Sequence, residues 1–312
     1  MAPFFTGIAK NLGGYGFGRS SGPTLPPPNE EYIYTGAQQT TLTVTGGTRI
    51  IKFAGVGGGG STVAAASPNE GSGAGGGGAA NLTGYTINPA VPLAGTTLYI
   101  GVGGPSAPRN TYVRTTSHSG PIIFELNQGS DGSNNGSGGA GGAANPTYGS
   151  TAGGTGGAGG ARFSPGQSGT PATSAGAGGG GAGGYGDSTP FILGSPGGSG
   201  GNVTMSPASY LQPIGFTPWT WGASSNGGGG GSQDPSPPNP QANGTPAPAS
   251  GAVGGKGDTI SVFYGTGGGG GAGIILNSVS YGGGGGGAGY GPPDPGPIRG
   301  TGAPGFLIIQ LT

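Results

Sequence analysis

The chain has 312 residues, of which 86 are Gly and 30 are Pro, and its nine basic and nine acidic residues cancel. So sparse a charge excludes a nucleic-acid partner, which needs clustered Lys and Arg to displace counterions, and it excludes disorder of the charge-repelled kind. With 31% apolar residues, the chain has something to bury, in small pieces.

Residues 1–29 are expected to form a segment separate from the glycine-rich domain that spans 30–312. They carry two aromatic clusters, Pro3-Phe4-Phe5 and Tyr15-Gly16-Phe17-Gly18-Arg19, then the stiff run Leu25-Pro26-Pro27-Pro28. Consecutive prolines favour an extended spacer. Aromatic side chains on a polar tail gain by burial against a partner. A disordered tail is one reading of this segment; the other is a peptide that docks onto another protein, with Phe4, Phe5, Tyr15, Phe17 and Arg19 as the candidate anchors.

Residues 31–53 read as two or three strands. Tyr32 and Tyr34 alternate, as do Leu42 and Val44, and Gly46-Gly47 between them and Thr48–Phe53 is a hairpin signal. Further strand-like pieces are Thr97–Ile100, Pro121–Leu126, Thr259–Tyr264 and the terminal Phe306–Leu311. The terminal run is apolar on both faces, so it is expected to be buried, to pair near Ile50–Phe53 and to close a small β core. No window has helical periodicity, and each Gly in a helix costs about 1 kcal/mol. The expected fold class is therefore mostly β and irregular, sandwich-like, with almost no α-helix.

Gly tracts lie between these strands, among them Gly57–Gly60, Gly267–Gly271 and Gly282–Gly287. They lack the unbroken Gly-X-Y register of collagen. Flexible linkers are one reading. The other is extended helices of the polyproline II type, which make no internal hydrogen bonds and, without Cβ atoms, can bond laterally to one another. Single alanines scattered through 176–184 favour packing.

Little chemistry is expected. His118, the single histidine, stands between Ser117 and Ser119 and reads as a solvated loop residue. No Ser has a nucleophile-elbow context, and the GxGxxG matches precede no helix. Asp131, Asp187 and Asp258 are scattered, giving no calcium loop. The expectation is no enzyme, no metal and no cofactor. No apolar run approaches the ~18 residues of a membrane span. The segment Tyr210–Trp221 holds both tryptophans. It reads either as a hydrophobic plug or as a recognition platform for a glycan or protein, with Tyr210, Phe216, Trp219 and Trp221 as candidates. Ser232–Pro248 is expected to be a surface excursion.

The order of elements resembles a glycine-rich domain of phage tail fibres and other viral structural proteins. Three junctions carry the resemblance. The first is Arg49-Ile50-Ile51-Lys52-Phe53-Ala54-Gly55-Val56 running into Gly57–Gly60. The second is Pro92–Ile100 running into Gly101-Val102-Gly103-Gly104. The third is Gly302-Ala303-Pro304-Gly305 running into Phe306–Ile309. The match spans roughly residues 31–312. It is also similar to polyglycine-helix adhesins at phage fibre tips, whose loops bind the host surface, although this chain adds an N-terminal segment and longer Pro-rich loops. The resemblance implies a virion structural protein, a fibre or decoration subunit anchored by residues 1–29. It also implies self-assembly, with a trimer favoured. The alternatives are a tip adhesin for a host glycan or protein, and a glycine-rich surface- or ice-binding protein outside any virus. The absence of Cys and of a signal-like apolar core fits assembly in a host cytoplasm.

Overall fold

A computed structural model describes residues 29–62, 75–78, 81–105, 107–133, 137–145, 147–148, 150–161, 164–173, 175–182, 187–188, 191–192, 197–204, 213–214, 220–223, 227–228, 245–247, 252, 254, 268–288 and 300–312. The strands among them are β1 Glu30–Thr35, β2 Gln38–Thr43, β3 Ile51–Val56, β4 Asn81–Ile87, β5 Thr97–Val102, β6 Thr111–Thr115 and β7 Ile122–Leu126. The short pieces β8 Ala172–Thr173, β9 Asp187–Ser188, β10 Phe191–Ile192, β11 Val203–Thr204, β12 Trp221–Ala223, β13 Ile274–Leu276 and β14 Val279–Tyr281 follow, and β15 Phe306–Leu311 ends the series. No α-helix occurs among the described residues; a single 3-10 turn spans Val91–Leu93. The chain is mostly β and irregular, as its sequence implies.

Two four-stranded antiparallel sheets, in the orders β1-β15-β3-β4 and β2-β5-β6-β7, face one another. Alternation in each strand supplies the core between them: Ile51 and Phe53 of β3, Leu307, Ile309 and Leu311 of β15, Leu98 and Ile100 of β5, and Phe124 of β7 form one buried cluster. Phe53 and Phe124 stack across it with ring centroids 5.4 Å apart. On the other face of the first sheet, Ala54, Val56, Phe306 and Ile308 pack against Ile274, Leu276, Tyr281 and alanines from the Gly tracts. The small sheet β12-β13-β14 belongs to this third layer. β15 is thus buried on both faces and pairs with β3 over its whole length, from Phe306↔Val56 to Leu311↔Ile51. This is the pairing expected for the terminal run.

The hairpin expected at Gly46-Gly47 is not formed. β2 pairs with β5 and β3 with β15, so the turn carries the chain from one sheet to the other. The same change of sheet separates β1 from β2 at Gly36, whose φ of +77° is one a β-carbon would disfavour. Local alternation specifies strands but not their partners, and the long-range apolar match of β3 with β15 decides the pairing. Thr259–Tyr264 lies outside the described residues.

The Gly tracts form a hydrogen-bonded body beside the sandwich. Tract 175–182 sits at its centre. Gly154, Gly157 and Gly160 donate their N–H groups to the carbonyls of Gly176, Gly179 and Ala182, each at 2.8 Å. Gly178 and Gly181 donate to Thr170 and Gln167, Ala177 and Gly180 to Ala272 and Gly269, and Gly179 to Gly76. Gly198 and Gly201 donate to Gly181 and Gly178, and Gly284 and Gly287 to Ala177 and Gly180. Each neighbour returns at every third residue, the period of the polyproline II type helix. Six tracts surround this one, two parallel and four antiparallel. Every N–H from Ala177 to Gly181 and every C=O from Gly176 to Ala182 has a partner on another tract. Tract 75–78 is surrounded in the same manner by 57–62, 127–132, 139–142, 153–157, 175–182 and 283–287. The backbone requirement that helices and sheets satisfy internally is met here laterally.

The approach is close enough to demand glycine. A Cβ on Gly178 would overlap the Thr155 carbonyl oxygen, and one on Gly76 the Gly60 carbonyl. In the outer tracts the one residue in three that faces away from the body is not Gly. Ser137, Ala140 and Ala143 are exposed in one, and Ala152, Thr155 and Ala161 in the next.

Candidate functional site

Directions of chain give the molecule two unlike ends. β3 runs into Gly57, β5 into Gly103 and β7 into Asn127, while Gly78, Gly273 and Gly305 run into β4, β13 and β15. The sandwich therefore caps one end of the glycine body. At the opposite end Thr62 bonds Gly300, Gly75 bonds Gly157, and Gly160 bonds Ala182. Thr62 and Gly75, Ala182 and Gly198, and Gly287 and Gly300 are bonded toward that far end, as is Gly268, so the described residues that flank 63–74, 183–197 and 288–299 are gathered there. The antiparallel tracts require this, because each pair is joined where its ends coincide.

The other pole is set by β1. Glu30 pairs with Leu311 and Thr35 with Phe306, next to Gly305 where the body begins. Six residues of strand place Glu30 about 17 Å beyond the body. The chain thus enters the sandwich from residues 1–29 at the pole farthest from the loops. The anchor candidates Phe4, Phe5, Tyr15, Phe17 and Arg19 lie outside the described residues.

The described parts of the tryptophan segment lie on the sandwich side of the molecule, away from the far end of the body. The Ile214 N–H donates to Glu31 Oε2 at 3.3 Å, an oxygen that also accepts from Gln310 Nε2 at 2.8 Å. Trp221 begins β12 and pairs with Leu276. The described parts of the segment therefore lie against the outer side of the first sheet. Tyr210, Phe216 and Trp219, and the side chain of Trp221, lie outside the described residues.

One cluster escaped the sequence reading. His118 is not a solvated loop residue but half-buried against the outer face of the second sheet. Its ring meets Tyr99 and Tyr112 edge to face, with centroids at 5.4 and 6.1 Å. Its Nδ1 lies 3.2 Å from the Tyr112 hydroxyl, which also accepts from Gln39 Nε2 at 2.7 Å. Arg114 stacks 4.6 Å from the Tyr112 ring centroid, donates to the His118 carbonyl at 3.1 Å, and stands 3.5 Å from Glu125 Oε1. The Tyr112 ring covers Gly101 of the neighbouring strand, where a Cβ would strike it. The turn that folds His118 back contains Thr116 at φ +65°, an uncommon conformation for a β-branched residue. Register explains the cluster: Gly101↔Tyr112 and Tyr99↔Arg114 are cross-strand pairs. The sequence offered only the alternation Tyr112, Arg114 as a clue.

A further ion pair among the described residues joins Arg109 and Asp131. Asp131 Oδ2 takes Arg109 at 2.6 Å and Oδ1 accepts from the Ser61 N–H at 2.8 Å, which ties the sandwich loop to tract 57–62. Among the described residues no three His, Cys, Asp or Glu side chains gather as a metal site would require, and no described helix is long and apolar enough to cross a membrane. Comparisons with protein-family models, with curated proteins and with solved structures return no match.

Proposed function

We propose that this protein is a structural subunit of a virion, a phage fibre or decoration protein held by residues 1–29 with its loops facing outward. The observation that carries the reading is the opposition of the two poles. A chain that enters at the outer pole of the sandwich, and returns its loops at the far end of a glycine body, is built to hold one end and present the other. The body suits such a display role, because its described tracts are bonded laterally to one another. On this reading the protein works by assembly, not catalysis. Its partners are another virion protein at residues 1–29 and further copies of itself, a trimer being the favoured arrangement.

The same gathering of loops supports a second reading, adhesion to a host glycan or protein at a fibre tip. The far-end segments carry that reading better than the tryptophan segment does, because the latter is tethered beside the first sheet. Particles assembled with a chain lacking residues 2–29 test the first reading. The body should fold and the particles should lack the protein; normal incorporation would refute it. Exchanging 289–299 for a short Gly-Ser linker tests the second, which predicts normal incorporation with loss of host attachment.

A further inference from the structure

Tract 137–143 has three unlike flanks. Gly138 and Gly141 stand against the neighbouring tract, where a Cβ would overlap the carbonyl oxygens of Gly156 and Gly153. Gly139 and Gly142 donate their N–H groups to Gly75 and Gly78, at 2.9 and 2.8 Å, and a Cβ on Gly139 would overlap the Ser130 carbonyl. Ser137, Ala140 and Ala143 make up the third flank and are exposed. The N–H and C=O groups of Gly138 and Gly141 take no partner among the described residues, and both residues are partly open to solvent. The lattice therefore stops at this tract with backbone donors and acceptors still available.

We propose that the β-carbons of Ser137, Ala140 and Ala143 seal this flank against the glycine tracts of a second copy, so that the lattice ends within one subunit and copies of the chain associate through other surfaces. Unpaired backbone groups in a row are a template on which another extended chain can add, and proteins blunt such edges with side chains. Hydrogen bonding between extended glycine helices demands close approach. Inside the body, a Cβ on Gly77, which packs beside this same tract, would overlap the Ala140 carbonyl. An incoming tract would meet the outward β-carbons in the same way, once every three residues, the repeat of the helix. The flank carries no charge to repel a neighbour, since residues 137–145 lack Asp, Glu, Lys and Arg, which leaves the β-carbons to exclude it. The seal is independent of the anchoring role proposed for residues 1–29.

Sedimentation of the full-length variant Ser137→Gly/Ala140→Gly/Ala143→Gly beside the unaltered protein tests it. A concentration-dependent assembly larger than that of the unaltered chain is expected, with the amides of Gly138 and Gly141 exchanging about tenfold or more slowly within it. The variant Ala140→Ser/Ala143→Ser keeps every β-carbon and should sediment as the unaltered chain does. A folded glycine variant with unchanged sedimentation overturns the proposal, as does a larger assembly in which Gly138 and Gly141 stay unprotected. Should the glycine variant fail to fold, hydrogen exchange in the unaltered protein decides. The amides of Gly138 and Gly141 are then expected to exchange at one fast rate at every protein concentration. Protection of those two amides that grows with concentration would mean that copies already dock there, and overturns the seal.

Discussion

At the scale of single residues, position in the array decides whether a methyl group is tolerated. Gly178 and Ala140 belong to similar tracts, yet a Cβ at Gly178 would overlap a backbone carbonyl, whereas Ala140 already carries one into solvent. Gly178→Ala is expected to destabilise the protein by about 1–3 kcal/mol, the range for forcing volume into a packed site. Ala140→Ser is expected to stay within about 0.5 kcal/mol. Chemical denaturation of the two variants checks both. Tyrosines of the core give a second residue-scale prediction. Burial, with a smaller contribution from Tyr32, pushes the Tyr34 phenol up to about 12, and burial also raises Tyr281. The unfolded chain releases these protons near pH 10. Between pH 10 and 12 the folded state holds protons that the unfolded state has lost, so stability is complete below pH 10 and falls as pH rises through that window. Tyr34→Phe should flatten the alkaline decline in unfolding midpoint, and an unchanged slope would show that Tyr34 does not contribute to it.

At the scale of elements, β15 is the pivot, because Phe306 and Leu307 face different clusters. Phe306→Ala should cost about 3–5 kcal/mol and Leu307→Ala about 2–5 kcal/mol. Ile33→Ala, on the edge strand and 37% exposed, should cost about 1 kcal/mol or less. Urea midpoints compare all three. This strand was legible in the sequence, since an apolar run on both faces has few places to go, and so were β5, β7 and the role of the Gly tracts. The Gly46-Gly47 hairpin was misread because a Gly-Gly turn reports a reversal of chain and not the sheet that receives it. β4 was missed because its Asn, Thr and Gly residues resemble loop composition, whereas β6, Thr-Tyr-Val-Arg-Thr, was missed although its Thr, Tyr and Val favour a strand. The His118 cluster was illegible for a related reason. His118, Tyr99 and Gln39 meet only through strand register, and Ser-His-Ser in isolation looks like a loop.

At the scale of the whole molecule, the glycine body takes the place of an ordinary side-chain core. Apolar clusters lie at the sandwich end, and beyond them order depends on backbone bonds between neighbouring tracts. Replacing 63–74 by a short linker should leave the unfolding midpoint nearly unchanged, since Thr62 and Gly75 are each bonded within the body. Amide hydrogen exchange tests the central claim most directly. If the tracts form a bonded lattice, the amides of Gly76–Gly78 and Ala177–Gly181 exchange as slowly as those of β3 and β15, because opening any of them requires disrupting several neighbours. Exchange of these glycines at the rate of an unstructured chain, beside protected strands, would contradict it.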